Sequence, residues 1–101
     1  MKNSMKISLR VVHDGAERLL VAGPAAIVAF ERHWSLGIGK AMSEVRVEHL
    51  AWLAHRAAWQ EAQAGNGPAV KPFDTWLDLL DDIEAVGDED DKSPLSSAGT
   101  A

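Results

Sequence analysis

Histidine, carboxylate and tryptophan side chains are the groups in this 101-residue chain whose chemistry is worth testing first. A metal ion needs ligands brought together at characteristic spacings. His49 and His55 stand six residues apart, which turns them to different faces of a helix, and His13 and His33 fall in other segments. Glu48-His49 lacks the second histidine one turn further on that a zinc-protease helix requires. The histidines therefore read as surface or helix-packing residues, and neither a metal nor a cofactor is expected. Catalytic carboxylates need a cleft that shifts their pKa values. Here Asp74, Asp78, Asp81, Asp82 and Glu84 line the polar side of one segment, and Asp88 to Asp91 form a run. That pattern reads as a solvated face, or as a docking surface of complementary charge. Serine, histidine and aspartate are all present, but no G-x-S-x-G elbow accompanies them. No enzyme activity is expected.

What remains is the chemistry of contact. Trp34, Trp52, Trp59 and Trp76 are four of the six aromatic residues. Each carries a large apolar surface and one N–H that needs a partner. Such residues fill cores and also anchor interfaces. Trp52 and Trp59 are a heptad apart, so both lie near one seam of a helix. Arg56 lies between them, where its aliphatic stem covers the seam. Trp52, Leu53, Arg56, Trp59 and Trp76 are the candidate partner-binding residues.

Composition narrows the field further. The formal net charge of −5 argues against a sequence-independent nucleic-acid binder, which needs a basic face. With no cysteine, disulfides and thiolate metal sites are excluded. No apolar run is long enough to span a membrane, and Met1 to Lys6 is not followed by a signal-peptide core. A chain of this size buries only roughly 60–65% of its unfolded surface, so its core is small.

The elements that must position the tryptophans follow from periodicity. Lys6 to Val12 alternates, with Ile7, Leu9 and Val11 on one side, and Leu19 to Ala22 reads as a second strand. Asp14-Gly15 between them is a strong two-residue hairpin signal. Gly23-Pro24 opens a helix over Ala25 to Trp34. Gly37 and Gly39 break it, leaving a loop from Ser35 to Ser43. The central helix covers Val45 to Ala64, rich in Ala and Leu, and apolar on more than one side. Gly65-Asn66-Gly67-Pro68 ends it. A third helix is expected over Phe73 to Val86, with Phe73, Trp76, Leu77, Leu80 and Ile83 on its apolar face. From Gly87 the chain is acidic and then Ser-, Gly- and Ala-rich, a composition expected to be disordered. The expectation is an α+β fold: an N-terminal β-hairpin, a three-helix bundle-like domain within residues 1–86, and a disordered acidic C-terminal tail over residues 87–101. An unpaired hairpin edge and excess apolar helix surface predict a homo-oligomer.

The order of these segments resembles the tail assembly chaperones of long-tailed bacteriophages. The resemblance is carried by Ala29-Phe30-Glu31-Arg32-His33-Trp34 after the strand pair, by Arg46-Val47-Glu48-His49-Leu50-Ala51-Trp52-Leu53-Ala54, and by Phe73-Asp74-Thr75-Trp76-Leu77-Asp78. It covers about residues 7 to 86. Trp76 stands where the family pattern has Phe or Leu, and the Gly65-to-Val70 connection is long for it. The resemblance implies a non-catalytic chaperone that coats the tape measure protein and keeps it soluble in the host bacterial cytoplasm until the tail tube assembles. It implies absence from the mature virion. It also implies a longer form made by ribosomal frameshifting, which would extend the chain beyond the acidic segment. The competing expectation is a small regulatory protein-binding module of the antitoxin kind.

Overall fold

The computed structural model describes residues 6–86. The chain order is β1 (Ile7–His13), β2 (Ala16–Ala22), α1 (Pro24–Trp34), α2 (Ile38–Glu44), α3 (Val47–Gln63), α4 (Phe73–Asp78) and β3 (Leu80–Val86). The strands form one antiparallel sheet in the order β2-β1-β3. The fold is α+β, as expected, but the helices do not make a separate bundle. They line one face of the sheet, with α3 packed against all three strands. The expected disordered tail lies outside the described residues.

The hairpin forms where the sequence places it. His13 pairs with Ala16, so the turn is Asp14-Gly15 alone. Both turn residues have positive φ, 52° and 81°. A two-residue turn of this hand matches the twist of the strands it joins, and glycine supplies the second position without strain. Alternation then sends Leu9, Val11, Leu20 and Ala22 into the core.

Helix α1 starts at Pro24, whose missing N–H is unneeded in the first turn. It buries Ala26, Ile27 and Phe30. Its C-terminal cap is Ser35 in the left-handed region, and Arg32 and His33 complement the dipole in its last turn. The expected loop from Ser35 to Ser43 is instead largely α2. The Glu31 carboxylate accepts a hydrogen bond from the Ile38 N–H at 2.8 Å, satisfying a free donor of the short helix from outside it. Ile38 and Ala41 then bury one side.

Helix α3 is the hub. Leu50, Ala51, Leu53, Ala54, Ala57 and Ala58 are buried, and four of those six are alanines, which bring the helix close to its neighbours. Its end is a Schellman motif. Gly65 has φ 80°, its N–H donates to Ala62 O, and the Asn66 N–H donates to Glu61 O.

The expected helix over Phe73 to Val86 is corrected. It stops at Asp78, and Leu80–Val86 turns into the third strand, antiparallel to β1. The reason is a bulge. Leu80 faces His13 while Asp82 faces Val12, so Asp81 is an extra residue in the ladder. Leu80 and Ile83 are thus three apart yet on the same side, a spacing that imitates a helix. The free edge of β1 pairs with β3 at six positions, and Arg10 adds side-chain bonds to Glu84 at 2.7 Å and Asp82 at 2.9 Å. These interactions outweigh a weak local helix preference.

Candidate protein-binding groove on the central helix

Positions 52, 55, 56 and 59 share one face of α3 because they are spaced three, four and seven apart. The face is turned away from the sheet. Trp52, His55, Arg56 and Trp59, with Phe73 from the start of α4, line an open hollow of ≈ 320 Å³. No carboxylate lines it, in a chain where acids outnumber lysines and arginines 15 to 10.

Each wall is held from behind. Trp52 is half-buried and stacks on His33 of α1, with ring centroids 4.7 Å apart and planes 18° apart. The Phe30 ring meets it edge-on at 6.0 Å. The His55 Nε2–H donates to Lys71 O at 2.8 Å, which fixes the tautomer and ties the connection before α4 to the helix. His55 also meets Phe73 edge-on at 5.4 Å and Trp76 at 5.5 Å. Such aromatic pairs add specific geometry to simple burial. Arg56 places its guanidinium 4.5 Å from the Trp59 ring centre, a cation–π contact that holds both side chains over the hollow. Trp59 remains 37% exposed.

The sequence-derived candidates therefore divide. Trp52, Arg56 and Trp59 come together on the groove. Leu53 does not: it is 0% exposed and belongs to the core, because one residue along a helix is a rotation of about 100°. Trp76 is 5% exposed and also serves the interior. It stacks on His13 at 4.6 Å, and the His13 Nε2–H donates to the Trp76 carbonyl at 2.9 Å. Leu53 and Trp76 are thus corrected from partner-binding residues to core residues. Two groove residues, His55 and Phe73, escaped the sequence reading. The i, i+3, i+4, i+7 spacing pointed to His55. Phe73 arrives from another element, and only the fold brings it there.

All four histidines lie against aromatic rings, His49 with Phe30 and Trp34. That accounts for their presence as packing groups. Among the described residues no three His, Asp or Glu side chains converge in a way that could hold a metal ion, and no helix is long and apolar enough to cross a membrane. Comparison with models of known families, with curated proteins and with solved structures finds no match to this chain.

Proposed function

We propose that this chain is a non-catalytic chaperone that holds the apolar face of an amphipathic helix, in the manner of a phage tail assembly chaperone on its tape measure protein. The observation that carries the reading is the groove itself. Two tryptophans, one of them exposed, flank an arginine on a single helix face, and no carboxylate lines the hollow between them. Trp and Arg are the residue types that most often dominate binding energy at protein interfaces. Flat aromatic surfaces grip apolar side chains without demanding one sequence, which suits a client made of many similar but non-identical segments. The chain carries a formal net charge of −5, so a client coated by many copies would carry negative charge and repel its neighbours.

The resemblance noted in the sequence supplies the identity of the client, and its motifs have definite work in the fold. Phe30 fills the core beneath Trp52, and Glu31 caps α2. Phe73 closes one end of the groove. The place of action under this reading is the cytoplasm of an infected bacterium.

The experiment is co-expression with a tape measure protein of a long-tailed bacteriophage. A client that is soluble only when this chain is present supports the reading. A client whose solubility is indifferent to it overturns the reading and favours the regulatory module, whose target would be a single globular protein.

A further inference from the structure

The geometry points to a second copy of this chain as the partner of strand β2, pairing edge to edge about a two-fold axis at Leu19 to make one six-stranded sheet across two subunits. This goes beyond the client-binding reading and is independent of it. In a two-residue hairpin the residues flanking the turn exchange both backbone hydrogen bonds. His13 with Ala16 is that pair here, so Val11 with Arg18, Leu9 with Leu20, and Ile7 with Ala22 are hydrogen-bonded too. The N–H and C=O groups of Glu17, Leu19 and Val21 then point away from β1. Among the described residues none of these groups accepts or donates a backbone hydrogen bond to another element. They form a row of unpaired donors and acceptors on a sheet edge, which is a template for another strand.

The side chains say what kind of strand. Leu19 is 60% exposed and Val21 45% exposed, both on the sheet face that no helix covers. An antiparallel copy centred on Leu19 sets Leu19 against Leu19 of the second copy, and Glu17 against Val21 of the second copy. Each of these pairs exchanges two backbone hydrogen bonds. Small residues, Ala16 and Ala22, meet at the two ends, so nothing obstructs the approach. Glu17 stands opposite the apolar Val21 of the second copy and not opposite another acid, and Arg10 of its own subunit, shared with Asp82 and Glu84, is 3.8 Å away. Arg18 points to the helix side and is held at 2.6 Å by Glu61 of α3, clear of the new ladder. The other sheet edge is different. Along β3, Asp81, Asp82 and Glu84 are exposed, and two copies of that strand would oppose like charges. One edge is thus guarded by acids and the other is apolar and self-complementary.

The test is light scattering with site-resolved amide exchange on the whole chain, with no client present. The wild type is expected to scatter as two chains, with the amides of Glu17, Leu19 and Val21 protected. Leu19→Lys places two ammonium groups on the axis. It is expected to lose the dimer and the protection at those three amides, while Arg18 and Leu20 amides, bonded to β1, stay protected. Val12→Lys is the control. Val12 sits on the open sheet face of the central strand, between Glu17 and Asp82, away from the edge. It is expected to leave the dimer intact. A wild type that scatters as one chain overturns the proposal. So does a dimer whose three edge amides exchange freely, or a Val12→Lys variant that dissociates like Leu19→Lys, which would mean that open sheet faces stack instead. Should Leu19→Lys fail to fold, the wild-type exchange pattern decides alone.

Discussion

The Trp52 indole lies flat on the exposed His33 imidazole, 4.7 Å between ring centres, and meets the buried Phe30 ring at 6.0 Å, which joins the groove to the core. One side of Trp52 is structural and the other faces the hollow. Trp59, seven residues on, has its Arg56 contact but much more exposure. The two tryptophans should therefore respond differently to truncation. Trp52→Ala is expected to cost about 2–4 kcal/mol of stability, somewhat below the loss for a fully buried Trp, and Trp59→Ala less than about 1 kcal/mol. Chemical denaturation of both variants measures this directly. Equal losses would place the two side chains in the same environment, contrary to the fold.

Leu53 supplies the matching control in the core. It is fully enclosed beneath the sheet, so Leu53→Ala leaves a cavity. A loss of about 2–5 kcal/mol is expected, a large share of the stability of so small a domain. An unchanged denaturation midpoint would contradict its burial.

How legible these features were depends on whether their causes are local. The hairpin was plain because Asp14-Gly15 and strict alternation both act within a few residues. Helix α3 was plain for the same reason, and so was the shared seam of Trp52, Arg56 and Trp59. Strand β3 was hidden because the bulge at Asp81 spaces Leu80 and Ile83 like a helix, and the strand exists only through its pairing with β1. Helix α2 was hidden by Gly37 and Gly39, since its stabilising cap comes from Glu31, seven residues earlier in another helix. Leu53 and Trp76 were misplaced because apolar residues on several sides of a helix do not announce which side the sheet will cover.

The open face of the sheet carries its own prediction. Arg10 bonds Glu84 and Asp82 across the β1–β3 pair and stands near Glu17 on β2. The hydrogen bond to Glu84, then that to Asp82, raises the pKa of the guanidinium further above its already high value, so it is charged at every accessible pH. Arg10→Met is expected to lower the melting temperature by leaving three carboxylates near one another. Its first visible effect should be faster amide exchange along β3, the strand held by those bonds. Raised salt should shrink the difference between variant and wild type, because this network is exposed. A variant with normal β3 protection would show that the backbone ladder alone holds the strand.

Val45 ends α2 with φ 52° and ψ 53°, a conformation that a β-branched residue rarely adopts. Its side chain is 61% exposed, so little packing is lost by removing it. Left-handed backbone costs a non-glycine residue about 1–2 kcal/mol, while glycine loses roughly 0.5–1 kcal/mol more entropy on folding. Val45→Gly should thus gain about 0.5–1 kcal/mol, read from the denaturation midpoint. A loss of stability would mean that the Val45 side chain makes contacts that outweigh the strain.

The central claim is that the groove on α3 grips the apolar face of a helical client. Its most direct measurement is a binding titration with a labelled amphipathic helical peptide cut from a phage tape measure protein, the client proposed above. Wild type and Trp59→Ala would be compared once both are shown to be equally stable. The account predicts saturable binding to the wild type and at least a tenfold loss in Trp59→Ala, the equivalent of about 1.4 kcal/mol and within the range of an interface hot spot. Binding of equal strength to both proteins would contradict it and move the client to another surface.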